Sequence, residues 1–253
     1  MKVITIANQK GGVGKTTTAI CIAQELIRRN YKVLFIDADA QANATIFYEG
    51  TMEDNYTLAD IMYGDELALT CIQSTSKGDI ICSDTQLKDA ENKVKLDEYR
   101  FLHLKRALKG IEEKYDFIII DTPPAIGVLL KNVLAASDFV IIPIQESGWS
   151  LTGIMDFRDA INMAKDTNNP SLSILGILPV MVHKNTLKSK NIHQLASSLA
   201  DKLNTKVFSA DIRETTKCAE ALTMYFVPLH LFAPSANTTL DYANLVDEIL
   251  ADI

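Results

Sequence analysis

The chain has 253 residues, of which 47% are hydrophobic, so it can bury one large core, and we predict a single domain covering residues 1–253. Its formal net charge of −7 argues against a protein coated with nucleic acid over its whole surface, while a local basic face remains possible. The four cysteines form no C-x-x-C pair and have no histidine at ligand spacing, which argues against a metal centre or a disulfide framework and favours reduced thiols in a cytoplasmic protein.

Apolar, β-rich segments alternate with helical patterns along almost the whole chain. Strands are predicted at Val3–Ala7, Lys32–Ile36, Asp79–Cys82, Phe117–Ile120, Phe139–Pro143, Ser173–Pro179 and Thr205–Phe208. Helices are predicted at Thr16–Arg29, Glu98–Lys114, Val128–Ala136, Leu151–Lys165, Leu187–Leu203 and Leu240–Ala251. Several strands are apolar on both faces, as strands covered by helices on both sides must be. The pattern predicts an α/β fold: a doubly wound, mostly parallel sheet with helices on both faces.

The remaining segments add little to this architecture. Residues 48–73 predict only short helices and loops. No apolar run is long enough to span a bilayer, and the chain starts directly with a strand, so we expect neither a signal peptide nor a membrane association.

A glycine-rich loop follows the first strand at once and opens a helix. Glycines allow backbone N–H groups to converge on phosphate oxygens, and the helix N-terminus adds positive potential. Lys15 would reach the β- and γ-phosphates, and the Thr16 hydroxyl would bind Mg²⁺. The strict pattern G-x-x-x-x-G-K-[ST] fails because Gln9 occupies its first position, so a simple glycine-rich turn is the alternative. The predicted nucleotide contacts are Lys10, Gly11, Gly12, Val13, Gly14, Lys15, Thr16 and Thr17.

Lys10 places a second cation in this loop. One lysine is enough to neutralise the phosphates within one subunit. A second one could point across an interface toward a neighbour's nucleotide, as an arginine finger does. From the sequence alone, Lys10 could equally be a solvated surface lysine.

Acidic residues follow two further apolar strands, at the strand ends where ligands bind in open α/β sheets. Asp37 and Asp39 follow the second strand, and Asp121 follows the strand that begins at Phe117. Such a carboxylate can hold Mg²⁺ directly or through water, or it can serve as a helix cap or turn residue. Their occurrence beside a phosphate loop favours the functional interpretation.

Three motifs together resemble one known family. Residues 8–18 (N-Q-K-G-G-V-G-K-T-T-T) resemble the deviant Walker A loop of the ParA/Soj–MinD partition ATPases. Residues 37–43 (D-A-D-A-Q-A-N) resemble the family's D-x-D-P-Q-x-N signature, with Ala40 in place of the usual proline, so we expect a more flexible switch I. Residues 121–124 (D-T-P-P) resemble its Walker B and switch II motif.

The resemblance implies roles for these residues. Lys10 would enter the partner's site in an ATP-sandwich dimer, and Lys10, Lys15 and Asp39 would form the catalytic set. Asp39 would orient the attacking water. Asp121 would support Mg²⁺ through its waters, and Asp37 would lie in the second coordination shell of the ion. Hydrolysis would be slow, because no strong base is evident.

A basic stretch runs from His183 to Lys217, with seven Lys or Arg residues against three acids. Charge alone fits both binding to a phosphate backbone and a solvated helix face. The resemblance favours DNA, because chromosomal partition ATPases bind DNA non-specifically through this C-terminal region. We therefore predict DNA contacts from Lys184, Lys188 and Lys217, although Glu214 replaces an arginine that is usual in the family.

The leading hypothesis is a small Soj-like partition ATPase that binds ATP and Mg²⁺, forms an ATP-dependent homodimer, binds non-specific DNA on the nucleoid and responds to a ParB-like protein. A MinD-like membrane switch is one alternative, but the tail at residues 240–253 is acidic. An electron carrier would need cysteines near residues 121–127, which the sequence lacks. An ATP-dependent small-molecule synthetase on the same fold stays open. The adenine pocket is predicted near Pro179–Met181 and Ser209–Asp211.

Overall fold

The structure, a computed structural model, describes residues 1–64, 66–89, 93–94, 99–146, 151–183 and 187–253, without the side chains of Leu151, Thr152, Ile154, Leu187 and Lys188. The strands are β1 (Lys2–Ile6), β2 (Val33–Asp37), β3 (Ile72–Thr75), β4 (Gly78–Ile81), β5 (Phe117–Asp121), β6 (Phe139–Ile144), β7 (Ser173–Val182) and β8 (Ile212–Arg213). Within the described residues they form one sheet in the order β3-β4-β2-β5-β1-β6-β7-β8. All neighbours run parallel except β3 and β4, which pair antiparallel. The predicted doubly wound, mostly parallel sheet is confirmed.

Helices connect these strands. They are α1 (Lys15–Arg28), α2 (Asn43–Tyr48), α3 (Leu58–Tyr63), α4 (Ala68–Cys71), α5 (His103–Ala107), α6 (Val128–Ala136), α7 (Leu151–Thr167), α8 (Leu187–Leu203), α9 (Thr216–Ala219), α10 (Leu229–Phe232) and α11 (Asn237–Asp252). A 3₁₀ turn covers Thr85–Asp89, and a π-helical turn covers Glu220–Met224. Among the helices described, none combines the length and the apolar composition that crossing a bilayer requires.

The central strands are buried on both faces, because successive side chains of a strand point to opposite sides of the sheet. Ile4 packs in the apolar cluster that contains α1 and α11. Its neighbour Val3 packs in the cluster on the other face, with α5 and α6. A third cluster joins β6 and β7 to α7 and α8. The continuous apolar runs in the sequence are therefore explained by helices on both sides of the sheet.

Two predicted elements were wrong in part. The predicted helix Glu98–Lys114 is much shorter among the described residues: α5 covers only His103–Ala107, and Glu98 lies outside the described residues. The helix ends at Ala107 with Leu108 as its C-cap, and Gly110 then adopts a φ of 93°, in the left-handed region that a continuing helix does not use.

The predicted strand Thr205–Phe208 is also absent, since Val207 makes only an isolated parallel bridge to Ile177. The strand that pairs with β7 is Ile212–Arg213 instead. The prediction missed β3 entirely, which forms the antiparallel edge hairpin with β4. The short helices predicted between residues 48 and 73 are confirmed by α3 and α4.

Candidate nucleotide-binding site

The carboxyl ends of β1, β2 and β5 meet at one edge of the sheet. Strand β5 lies between the other two, and Asp121 at its end is aligned with Ile6 on one side and with Asp37 on the other. The loop that follows β1 therefore passes directly beside two carboxyl groups. These two acids lie far apart in the sequence, and parallel pairing alone makes them neighbours.

The loop from Gln9 to Gly14 owes its path to glycine. Gly12 and Gly14 have φ values of 74° and 72°, which L side chains rarely adopt. A Cβ atom built on Gly11 or Gly12 would meet no atom within 4 Å, so both glycines border open space. Gly14 is also the N-cap of α1, and no side chain caps the helix there. The uncapped N–H groups of the first turn are available to an anion.

Asn8 anchors the start of the loop. Its side-chain oxygen accepts a hydrogen bond from the Lys10 N–H at 2.9 Å, and its amide nitrogen donates to the carbonyl of Pro143 at 2.5 Å. Asn8 is only 2% exposed. The loop is thereby fixed to the end of β6, independently of any ligand.

Lys15 is the buried cation of the site. It is 7% exposed, and its ammonium donates a hydrogen bond to the carbonyl oxygen of Lys10 at 3.0 Å. Burial lowers the pKa of Lys15, while the carboxylates of Asp121 and Asp39 oppose that shift. A buried ammonium with few hydrogen-bond partners is well suited to an incoming phosphate oxygen.

Asp121 is the buried carboxyl group of the site. It is fully buried, and neither of its carboxylate oxygens makes a hydrogen bond of ordinary geometry, although the Thr16 side chain is close enough to favour its charged form. Burial raises its pKa well above the ordinary value, and the neighbouring Asp37 raises it further, against the opposing influence of Thr16 and Lys15. Buried carboxylates are ordinarily paired or bound to a metal. The residues present therefore fit a divalent cation with its water ligands.

A hydrogen-bond network holds the loop after β2. Asp37 accepts hydrogen bonds from the N–H and the hydroxyl of Thr45 at 2.8 and 2.9 Å, and from the N–H of Asp39 at 3.1 Å. Its burial raises its pKa to about 6, against the lowering effect of the Thr45 hydrogen bonds. Ser83 donates from its hydroxyl to the Asp39 carbonyl at 2.6 Å. Asp37 is thus committed to protein groups.

Asp39 itself stays partly exposed. One of its carboxylate oxygens accepts the Gln41 N–H at 3.0 Å. Thr45 and Ser83 were missed by the sequence analysis. Ser83 follows the carboxyl end of β4, so it could have been found, as Asp37 was, from its place at the end of a parallel strand. Thr45 lies in α2 and has no such position in the sequence.

A cavity of about 220 Å³ opens beside the loop. It begins at Gly14 and Thr17 and continues toward β7 and β8. Its wall is mainly apolar, with a few polar groups, as pockets for small aromatic ligands commonly are; it includes Val180, Met181, Ile212, Glu214, Thr215, Cys218, Ala219, Leu222 and Thr223. Of the residues predicted to lie near adenine, Val180 and Met181 line this cavity and Ser209–Asp211 do not, and the adenine position stays a prediction.

Comparison with known proteins identifies the family. The AAA domain family model matches residues 1–174. The sporulation initiation inhibitor protein Soj of Bacillus subtilis is 33% identical over 255 residues, covering 99% of each chain. Chromosome partitioning proteins named ParA are among the further relatives. The chain belongs to the AAA domain family and, within it, to the ParA/Soj–MinD ATPases.

Solved structures support the nucleotide as well as the fold. A putative plasmid partition protein from Borrelia burgdorferi, bound to AMPPNP, is 28% identical with a TM-score of 0.81, covering 100% of this chain and 99% of the other. Cobyrinic acid a,c-diamide synthase from Mycobacterium smegmatis, with an ATP analogue and magnesium, is 28% identical with a TM-score of 0.85, covering 99% and 94%. This member of the ParA/Soj–MinD family is an ATP-binding P-loop protein with ATP and Mg²⁺ as its cofactors.

Within the part of the basic stretch that the structure describes, Lys206, Arg213 and Lys217 form ion pairs. Arg213 forms a two-pronged pair with the buried Asp241, at distances from 2.5 to 3.1 Å. Lys206 pairs with Glu248 and Asp252 at 3.1 and 2.5 Å.

Of the three residues predicted to contact DNA, the structure describes the side chain of Lys217 alone. Lys217 is half exposed and pairs with Glu220 at 3.1 Å, a surface ion pair worth little. Lys184 and the side chain of Lys188 lie outside the described residues. The carboxylate of Glu214, which replaces the usual arginine of the family, contacts the His183 ring.

Proposed function

We propose that this chain is a ParA-type partition ATPase in which ATP drives homodimerisation, the dimer binds DNA non-specifically, and a ParB-like protein stimulates slow hydrolysis. Relatives named for chromosome and plasmid partition support this function. Repeated cycles of binding and release would position the DNA cargo, since the nucleotide shifts the population between two states of the protein. The protein would then associate with the nucleoid in its ATP-bound form.

The buried Asp121 carries the proposal. A fully buried carboxylate with no hydrogen bond of ordinary geometry is costly, and it lies next to a glycine loop, a buried lysine and Thr16 at the helix N-terminus. Bound Mg²⁺ would supply positive charge that neutralises the phosphates. Thr16 would bind it, Asp121 would hold its waters, and Asp37 would stabilise the surrounding hydrogen bonds. Residues 10–17 would bind the nucleotide.

Two residues are assigned to the chemical step. Asp39 is partly exposed and uses one carboxylate oxygen for the turn to Gln41, which leaves its other oxygen for an attacking water. Lys10 would contribute its side chain to the nucleotide of the second subunit. Together with Lys15 these residues act by positioning and electrostatics, which is consistent with slow turnover.

DNA binding is assigned to Lys184, Lys188 and Lys217. The exposed pair between Lys217 and Glu220 is weak enough for a phosphate to replace the carboxylate. Non-specific binding of this kind needs cations near the DNA backbone and no base contacts.

Analytical sedimentation of the wild type and of Asp39→Ala, with ADP and with ATP, tests the proposal. We expect a monomer with ADP and a dimer with ATP, and we expect the variant to remain dimeric with ATP because hydrolysis is blocked. Only the ATP dimer should co-sediment with duplex DNA. A protein that stays monomeric under every condition would refute the partition cycle.

A second function is supported by one observation, the likeness to cobyrinic acid a,c-diamide synthase. In an ATP-dependent synthetase, hydrolysis would require a small-molecule acceptor and would yield one product molecule per ATP. Stimulation of the ATPase by DNA and a partner protein, without any acceptor, would exclude this alternative. Phosphate release that depends strictly on a carboxylate substrate and ammonia or glutamine would favour it.

A further inference from the structure

Ser83 lies beside the loop that carries Asp39. Strand β4 pairs parallel with β2, with Ile81 aligned with Ile36, so the chain leaves both strands at the same edge of the sheet. Ser83 follows β4 and is fully buried. Its hydroxyl donates a hydrogen bond of 2.6 Å to the backbone carbonyl oxygen of Asp39. This bond joins two loops that are far apart in the sequence.

The backbone of Ser83 is fixed from the side of β2. Its N–H donates a hydrogen bond to the Thr45 hydroxyl at 2.9 Å, and that hydroxyl donates in turn to the Asp37 carboxylate at 2.9 Å. Thr45 and Asp37 are both buried. Ser83 therefore belongs to the same buried network as the acid at the end of β2, and its hydroxyl extends that network to the Asp39 carbonyl.

The two neighbours of Ser83 in the chain are bonded to the start of helix α3. The carbonyl oxygen of Cys82 accepts a hydrogen bond from the Leu58 N–H at 2.8 Å. The carboxylate of Asp84 accepts a hydrogen bond from the Thr57 hydroxyl at 2.9 Å. These bonds hold Ser83 in place without any contribution from the loop after β2, so its hydroxyl is a fixed donor for that loop.

The loop around Asp39 is a short turn. The Asp39 carbonyl also accepts a hydrogen bond from the Ala42 N–H at 2.8 Å, which closes the turn. Position 40 within it is alanine, and an alanine does not restrict the backbone as a proline ring does. The placement of this turn against the segment after β4 therefore depends on the Ser83 hydroxyl, and the placement of the Asp39 carboxylate depends on the turn.

We propose that Ser83 is a positioning residue for ATP hydrolysis, because its hydroxyl sets the position from which the Asp39 carboxylate orients the attacking water. This inference rests on the proposed function, since that role of Asp39 is part of it. A misplacement of about 1 Å can slow a reaction roughly hundredfold. Residues 10–17, which would bind the phosphates, are held separately. Loss of the Ser83 hydroxyl should therefore slow hydrolysis and spare nucleotide affinity.

Two serine variants separate positioning from stability. Ser83→Ala removes the hydroxyl, and the Asp39 carbonyl keeps its bond to the Ala42 N–H, so we expect the variant to fold. Ser137→Ala is the matched control. The Ser137 side chain is buried, and its hydroxyl donates to the Val133 carbonyl, also at 2.6 Å. Ser137 precedes the amino end of β6, at the opposite edge of the sheet from the nucleotide site.

Single-turnover hydrolysis of Mg·ATP, without DNA or a partner protein, provides the first test. We expect Ser83→Ala to hydrolyse ATP roughly tenfold more slowly with its affinity for ADP unchanged, and Ser137→Ala to match the wild type. Because Ser83 acts through Asp39, the double variant Ser83→Ala/Asp39→Ala should be no slower than Asp39→Ala alone.

Hydrogen–deuterium exchange of the nucleotide-free protein gives a second readout that needs no activity. The backbone amides of residues 38–43 should exchange faster in Ser83→Ala than in the wild type, and at the wild-type rate in Ser137→Ala. Unchanged exchange of these amides in Ser83→Ala would show that the hydroxyl does not hold the loop, and would overturn the inference.

The hydrolysis rates distinguish a failure of this inference from a failure of the proposed function. Equal rates in Ser83→Ala and Ser137→Ala, with a slow Asp39→Ala, would overturn the inference and leave the proposed function intact. A double variant slower than Asp39→Ala would give Ser83 a role independent of Asp39, which also overturns the inference. Hydrolysis by Asp39→Ala at the wild-type rate would instead refute the role of Asp39 in the proposed function, and the inference with it.

Discussion

The ammonium nitrogen of Lys15 lies 3.0 Å from the backbone carbonyl oxygen of Lys10. In this hydrogen bond Lys15 contributes its side chain and Lys10 contributes its main chain. Because the Lys10 side chain takes no part in this bond, a mutation of that side chain leaves the bond in place, and the roles of the two lysines can be tested separately. Lys15 is held inside its own subunit by this bond, which uses the main chain of Lys10 and not its side chain.

We therefore expect Lys15 to determine nucleotide binding and Lys10 to determine ATP-dependent dimerisation. Lys15→Ala removes the buried cation, and we expect the affinity of the monomer for a fluorescent ADP analogue to fall roughly hundredfold, about 3 kcal/mol. Lys10→Ala preserves the carbonyl that holds Lys15, so its affinity for ADP should stay near that of the wild type. It should nevertheless fail to form the ATP dimer in sedimentation. Equal losses of ADP affinity in both variants would contradict the assignment of Lys10 to the second subunit.

The nucleotide-free protein should become less stable as the pH rises through the weakly acidic range. The pKa of Asp37 is raised to about 6, and that of Asp121 is raised well above its usual value. The folded protein therefore retains protons that the unfolded chain has already released, so the free energy of unfolding decreases between about pH 4 and pH 6. For Asp37 alone the decrease is on the order of 3 kcal/mol.

Urea unfolding at a series of pH values measures this slope. Asp121→Asn removes one of the two buried carboxyl groups and should flatten the slope and raise Tm near neutral pH. Asp201→Asn makes the same chemical change at an exposed position and should leave both unchanged. Indistinguishable slopes for the two variants would show that the buried pair does not control stability.

Filling the cavity beside Gly14 should weaken binding of the nucleoside and spare the phosphates. Ala219 lines this cavity on α9, and Ala219→Trp would occupy it. We expect the affinity for ATP and ADP to drop roughly tenfold, with pyrophosphate binding unchanged, because the loop remains intact. Thr216→Trp adds the same ring to an exposed position of α9 outside the cavity and should bind like the wild type. Calorimetric titration with all three ligands distinguishes these outcomes, and equal affinities in both variants would place the base elsewhere.

DNA binding should depend on salt in proportion to the number of phosphates that the protein neutralises. The triple variant Lys184→Gln/Lys188→Gln/Lys217→Gln should weaken retention by the ATP dimer and lower the slope of log affinity against log salt by roughly 0.9 for each phosphate that is no longer neutralised. The control Lys105→Gln/Lys109→Gln/Lys114→Gln removes the same charge from a different face. If the control loses as much affinity as the C-terminal variant, DNA does not bind where we propose.

The sheet and the phosphate loop were predictable because their signals are local. A strand, a glycine loop and a helix follow each other within residues 2–28, and each acid at a strand end is recognisable by its position. The edge strand β3 carries the mixed sequence I-Q-S-T, whose partly exposed side chains lack the apolar run that marks a central strand. β3 is a strand because it pairs with β4 in a hairpin, and its own four residues carry no pattern from which that pairing could be predicted.

The end of the sheet was misassigned for a related reason. Thr205–Phe208 has the composition of a strand, yet its backbone makes only an isolated bridge, and Ile212–Arg213 pairs instead. What decides between them is distant: Asp241 on α11 binds both the N–H and the guanidinium of Arg213. Such a long-range partner leaves no trace near residue 212. The prediction of a single domain stays a prediction.

The last described helix also sets the order in which the site can mature during translation. Asp241 secures Arg213, and Glu248 binds Lys206 together with the N–H groups of Ser209 and Ala210. A nascent chain thus carries its phosphate loop early, but residues 206–213 gain these partners only after helix α11 emerges from the ribosome. Until that moment the growing polypeptide lacks the carboxylates that hold residues 206–213 in place.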